Sequence, residues 1–229
     1  SEKLWELNSP YNLVICQKYK LEDWYQHFKE YYSDDYKVIL FDREKLEYIE
    51  ENSILIINYE KAIVRPELKK IRNFTLLLDE SQYIKNPKTK NAITVKSLKA
   101  KHRFALTGTP IENSLAELWS IFDFLMPEYL YSYHYFKTNY ETPIVKNHDE
   151  NKQQELKKLI TPFILRRNKK DVLTELPEKI EKTLSIEFNE EENKLYLANL
   201  IQVNKELQEQ LNYDNVDRIA ILAMLTRLR

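Results

Sequence analysis

The stretch Phe74-Thr75-Leu76-Leu77-Leu78-Asp79-Glu80-Ser81-Gln82-Tyr83-Ile84-Lys85-Asn86 decides the fold. Its apolar run, Leu76 to Leu78, stops at two adjacent carboxylates, Asp79 and Glu80. That is the pattern of a parallel strand, buried on both faces, emerging at its carboxyl end. In open α/β sheets this edge is where ligands bind. Two acids there suit nucleotide hydrolysis: the first can hold Mg²⁺ through its water shell, and the second can orient and deprotonate the attacking water. Exposed acids also close strands without any chemistry, so the pair alone supports both readings. A second stretch, Leu106-Thr107-Gly108-Thr109-Pro110-Ile111-Glu112-Asn113, adds weight. Phe104 to Leu106 reads as another short buried strand, and Gly108 just beyond it is the only glycine in the chain. A glycine kept at a strand exit predicts a sharp turn and a close approach of the backbone to something else.

Upstream of the acid pair, strand and helix patterns alternate. Leu13 to Cys16 reads as a buried strand, and Leu21, Trp24, Tyr25, Phe28 and Tyr32 then recur at helical spacing, an aromatic stripe that belongs to the core. Val38 to Phe41 and Ile54 to Ile57 are two more apolar runs, with the acidic, helix-prone segment Asp42 to Glu51 between them. The alternation predicts a parallel sheet flanked by helices. Asn58-Tyr59-Glu60 reads as a capped helix start with Tyr59 as packing. Asn86 and Pro87 are placed to cap and open the helix after the acid pair. Leu115, Leu118, Trp119, Phe122 and Leu125 form a helical stripe ended by Pro127.

From Glu128 the chain turns tyrosine-rich and then polar, and the sheet pattern stops. Leu156, Leu159 and Ile160 mark a short helix. Leu184, Ile186 and Phe188 alternate with polar residues, which predicts a one-sided strand within Ile180 to Phe188. Asn189 with Glu192 three residues on is a capping-box variant opening a helix through Leu211. A last helix over Val216 to Leu228 would complete a hairpin. The expected division is therefore 1–127, 128–180 and 181–229.

Composition bounds the class. The 229 residues are 43% hydrophobic and 31% charged, enough for one good core or one core plus a helical appendage. The single cysteine, Cys16, excludes internal disulfides, and the four histidines show no metal-ligand spacing. No apolar stretch is long enough to span a membrane, and the expectation is an intracellular protein. A net charge of −1 argues against indiscriminate nucleic-acid binding, so any DNA contact must come from local basic patches. The most basic segment holds Lys88, Lys90, Lys96, Lys99, Lys101 and Arg103.

Several boxes together carry a resemblance. Asp79-Glu80-Ser81-Gln82, Ile84-Lys85-Asn86, Arg103 to Ser114, Glu117-Leu118-Trp119 and Phe124-Leu125-Met126-Pro127 resemble the Swi/Snf-type remodelling ATPases. These belong to a helicase-like superfamily of double-stranded-DNA translocases. Phe163-Ile164-Leu165-Arg166-Arg167, Asp171-Val172 and Leu176-Pro177-Glu178-Lys179 are similar to a box in the helical insertion peculiar to these remodellers.

The resemblance implies a RecA-like first motor lobe, with ATP and Mg²⁺ as cofactors and duplex DNA as partner. Asp79 would hold the metal and Glu80 would activate water, while Gln82, Thr107, Gly108 and Thr109 would sense the nucleotide, with the Gln82 amide able to hydrogen-bond toward Thr107 or Thr109 across the two boxes. Contacts to DNA would fall on Lys18, Tyr59, Lys85, Asn86, Lys88, Arg103, Asn113, Arg166 and Arg167. Gln17-Lys18-Tyr19-Lys20 departs from the Pro-Thr-Ser usual in the family's first DNA-contacting box. One glycine leaves no G-x-x-x-x-G-K-[ST] loop within these residues, so the family's phosphate cradle is expected upstream and a second motor lobe downstream. The 229 residues alone are then expected to be inactive. The whole protein would be a translocase acting on protein–DNA complexes without strand separation, in the nucleoid or the nucleus. The alternative is a non-catalytic scaffold that binds DNA or a partner protein.

Overall fold

The computed structural model describes residues 6–42, 44–108, 114–167, 182, 184–185, 187–211, 221–223 and 226. The chain divides into two compact units, Ser1–Leu165 and Arg166–Arg229.

The first unit is built on five parallel strands: β1 (Tyr11–Cys16), β2 (Lys37–Leu40), β3 (Ser53–Asn58), β4 (Phe74–Leu78) and β5 (His102–Ala105). Their spatial order is β2-β3-β1-β4-β5. β1 lies at the centre, with Leu13 level with Leu55 of β3 and Leu76 of β4. Period-two alternation splits its side chains between two cores. Leu13 and Ile15 join Leu55, Ile57, Leu76 and Leu78 on one face, and Val14 and Cys16 join Ile54, Ile56 and Leu77 on the other.

Helix α1 (Leu21–Tyr32) follows β1 and covers the second face with Leu21, Trp24, Tyr25, Phe28 and Tyr32. Helices α2 (Tyr59–Ile63) and α3 (Lys90–Ser97) leave β3 and β4 and cover the first face through Tyr59, Ala62, Ala92 and Val95. Connections from neighbouring strands thus diverge to opposite faces, which opens a crevice at the carboxyl end of β1. Helix α4 (Leu115–Leu125) adds Phe124 to the first core and turns Leu118, Trp119 and Phe122 toward a third. That third core is where the tyrosine-rich stretch goes. α5 (Tyr133–Phe136), a π-helical turn over Lys137–Glu141, α6 (Thr142–Asn147) and α7 (Glu150–Ile160) supply Phe136, Tyr140 and Leu156 to it.

Three local expectations are corrected. Among the described residues of Asp42 to Glu51 there is no α-helix, only a 3₁₀ turn over Leu46–Tyr48. The Arg65 guanidinium lies over the Phe41 ring at 3.7 Å and donates to the carbonyls of Phe41, Asp42 and Glu44, which holds this connection extended. Asn86 does not cap α3. Its Oδ1 accepts from the Lys88 amide at 3.0 Å in an Asx turn, and Thr89 caps the helix by accepting from the Ala92 amide. The strand expected within Ile180 to Phe188 is not formed at residues 182, 184–185 and 187–188, which are irregular, and its other residues lie outside those described. A strand needs a neighbour to satisfy its amides and carbonyls. The expected capping box is present: Glu192 N–H donates to Asn189 Oδ1 at 2.9 Å and Asn189 N–H to Glu192 Oε2 at 3.0 Å, opening α8 (Glu190–Leu211). Most of the expected Val216–Leu228 helix lies outside the described residues, and 221–223 and 226 are helical.

Candidate active site

β4 delivers Asp79 to the crevice. The Asp79 amide donates to the Ile15 carbonyl at 2.9 Å, which extends the β1–β4 ladder by one bond. The chain then turns sharply at Glu80, whose φ of 49° and ψ of 55° lie in the left-handed region. A non-glycine residue there stores roughly 1–3 kcal/mol of strain, which the surrounding bonds must hold. Two such bonds flank it: Ser81 N–H donates to the Leu106 carbonyl at 2.7 Å, and Leu106 N–H to the Leu78 carbonyl at 2.8 Å. The exits of β4 and β5 are thereby locked together.

Side chains continue that link. Gln82 Nε2 donates to Glu80 Oε2 at 2.6 Å, and the Thr107 hydroxyl donates to Gln82 Oε1 at 3.0 Å. Glu80, Gln82 and Thr107 thus form one chain of hydrogen bonds, the contact the sequence reading placed between the two boxes. On the other side, Asp79 Oδ1 accepts from the Glu80 amide at 3.0 Å and Oδ2 from the Trp24 indole N–H at 2.8 Å. Tyr59 donates its hydroxyl to the Asp79 carbonyl at 2.8 Å and stacks on Tyr83 with centroids 5.2 Å apart. A cleft of about 290 Å³ opens beside Asp79, lined by Lys20, Asp23, Trp24 and His27.

Electrostatics around the acid are one-sided. Burial, and then the charge of Asp79, pushes the Cys16 thiol up to about 12, so it is a protonated core group. The same two causes push the Tyr59 phenol well above its ordinary range and keep it a neutral donor. Among the described residues no group of three or more His, Cys, Asp and Glu is arranged to hold a metal ion. Asp79 and Glu80, two half-buried carboxylates at a strand end, suit a hard cation whose remaining ligands are water and phosphate, the habit of Mg²⁺.

The other predicted residues divide. Lys85, Asn86 and Lys88 line one cleft of about 510 Å³ together with Ser114, Glu117 and Tyr133, and Lys85 pairs with Glu117 at 3.4 Å. Lys18, Arg166 and Arg167 are exposed. Tyr59 is buried, 1% exposed, with its hydroxyl bonded to the Asp79 carbonyl. Arg103 is likewise committed inward. Its guanidinium donates to the Phe124 carbonyl at 2.7 Å and the Leu98 carbonyl at 2.8 Å, and burial lowers its pKa. Gly108 has no left-handed φ, and a Cβ there would meet nothing within 4 Å, so no described contact explains the glycine. Thr109 and Asn113 lie outside the described residues. Sequence reasoning assigned Trp24 to the core and missed its bond to Asp79. The available signal was that Trp24 carries an N–H, which needs a partner when partly buried.

The model of the SNF2-related domain matches residues 2–229. The chain belongs to the SNF2-related family. Its fold superposes on the Sulfolobus solfataricus SWI2/SNF2 ATPase core in complex with dsDNA with a TM-score of 0.67 and 34% identity, covering 99% of this chain and 48% of that one. A Bacillus subtilis relative described as a putative ATP-dependent helicase/translocase, YwqA, is 41% identical over 71% of this chain and 18% of its own length. The Saccharomyces cerevisiae TATA-binding protein-associated factor MOT1 is 35% identical over 81% of this chain and 11% of its own. The SNF2-related chain thus spans less than a fifth of these two relatives. The five-stranded parallel sheet with flanking helices is the RecA-like architecture expected from the boxes.

Proposed function

We propose that this chain is part of an ATP-driven motor that moves along double-stranded DNA and remodels protein–DNA complexes without separating the strands. The observation that carries the reading is the acid pair at the crevice, joined to the exit of β5 through Gln82 and Thr107. Asp79 would hold Mg²⁺ through water, and Glu80 would orient and deprotonate the attacking water. When bound, Mg²⁺ neutralises charge on the transferred phosphate. Thr107, Gly108 and Thr109, through Gln82, would report the nucleotide to the strand exit. Lys85, Asn86 and Lys88 share one cleft and suit a phosphate backbone, with Lys18, Asn113, Arg166 and Arg167 as further contacts. The duplex in the Sulfolobus structure and the TATA-binding protein in the yeast relative's name support a protein–DNA complex as target. No G-x-x-x-x-G-K-[ST] occurs in the 229 residues, so we expect this segment alone to show no ATPase and no nucleotide-dependent thermal shift. We keep 1–127 as the first lobe, 128–180 as the insertion and 181–229 as the passage to a second lobe.

The test is Glu80→Gln in the whole protein. The amide cannot accept the water's proton, so turnover should fall about 10²–10⁴-fold while ATP binding is retained. Unchanged turnover would remove Glu80 from the chemistry and favour a DNA- or protein-binding scaffold.

A further inference from the structure

Trp24 stands one helical turn after Lys20, in the first turn of α1, and its indole N–H points at the oxygen of Asp79 that the backbone leaves open. A carboxylate at a strand end can rotate about two side-chain bonds. Here the Glu80 amide holds Oδ1 and the Trp24 indole holds Oδ2, so the carboxylate plane is fixed from both sides while each oxygen keeps a lone pair for a further donor. Trp24 is itself held rigid, stacked on Phe28 with centroids 5.4 Å apart and edge-on to His27 at 6.2 Å. Phenylalanine at position 24 would keep an aromatic ring on Phe28, though a smaller one, and would lack the N–H that reaches Asp79.

We infer that Trp24 is a positioning residue for Asp79, orienting the carboxylate toward the water shell of the metal and tying it to the Lys18–Lys20 turn. The inference rests on the proposed role of Asp79. An ion held through water makes directional contacts, so an untethered carboxylate spends much of its time misaligned. Partners that orient a metal-facing group typically contribute tenfold or more in metal affinity.

The experiment uses Trp24→Phe in the whole protein, which keeps the stack and deletes the N–H. Mg²⁺ is titrated against binding of a fluorescent ATP analogue, and separately against turnover. The Mg²⁺ concentration at half-saturation should rise about tenfold, at the low end for such a partner, with turnover at saturating Mg²⁺ reduced far less. In an Asp79→Ala background the Trp24→Phe effect should vanish, because the two act through one bond. With 5-fluorotryptophan incorporated, the ¹⁹F resonance that Trp24→Phe removes should move on adding Mg²⁺ and nucleotide. An unchanged Mg²⁺ requirement in Trp24→Phe, with a raised one in Asp79→Ala, overturns the inference alone. An unchanged requirement in Asp79→Ala overturns the functional reading and the inference with it.

Discussion

The acid edge at the end of β4 and the basic stretch from Lys85 to Arg103 are neighbours in sequence, yet their charges have opposite fates. Asp79 and Glu80 keep their carboxylates in the crevice, and their bonds run to Trp24 and Gln82 at the same edge, with Thr107 bonded in turn to Gln82. The cations of the basic stretch scatter. Lys96 bonds Ser120 and pairs with Asp123 at 2.9 Å, Arg103 pins α4 to the strand beneath it, and the Lys85 to Lys88 turn lines an open cleft. A short acid takes its position from the backbone it rides on. A long cation reaches several ångströms and takes its role from whatever acceptor lies there, which is a tertiary fact.

The largest effect that separates the two roles is expected from Arg103. Arg103→Ala leaves the Phe124 and Leu98 carbonyls without their charged donor and should cost about 2–4 kcal/mol, read as a lower urea midpoint. A wild-type midpoint combined with lost DNA affinity would restore the phosphate-contact reading and break the contrast. Tyr59→Phe deletes the bond to the Asp79 carbonyl and should cost about 1 kcal/mol, with DNA affinity unchanged. Weaker DNA binding at wild-type stability would return Tyr59 to the DNA-facing edge.

Cys16 sharpens the picture from beneath the acid. Its folded pKa of about 12 lies above the ordinary 9.0, so between those values the folded state keeps a proton that the unfolded state releases, and stability falls as pH rises through that window. Cys16→Val should flatten part of that alkaline loss in denaturation curves taken from pH 8 to 11. An identical pH profile would mean that the thiol is not the titrating group. The smallest stability effect belongs to Lys88→Ala, which should stay within about 0.5 kcal/mol of wild type while reducing the salt dependence of DNA binding by about one phosphate contact. An unchanged salt slope would make the Lys85–Lys88 cleft an ordinary solvated face.

What could be read in the sequence follows the same division. Strand cores such as Leu13 to Cys16, Ile54 to Ile57 and Leu76 to Leu78 were legible because an apolar run ending in polar residues has few other meanings. The helical stripes at Phe28 and Trp119 were legible from their period. The strand order was not, since nothing local says that β1 sits between β3 and β4. Asn86-Pro87 misled because an Asx turn and a helix cap use the same residue types, and Thr89 three residues on held the cap. The Asp42 to Glu51 connection misled because Arg65, distant in sequence, overrides its helical propensity. Of the site, the acids and the Gln82–Thr107 contact were readable. The Trp24 bond was not, since it joins elements 55 positions apart.

The central proposal is that the whole protein moves along an intact duplex, and displacement of a third strand from a DNA triplex tests it most directly. The account predicts ATP-dependent displacement that Glu80→Gln abolishes, with no unwinding of a plain duplex under the same conditions. Efficient unwinding of the duplex, or displacement that Glu80→Gln leaves intact, would contradict it.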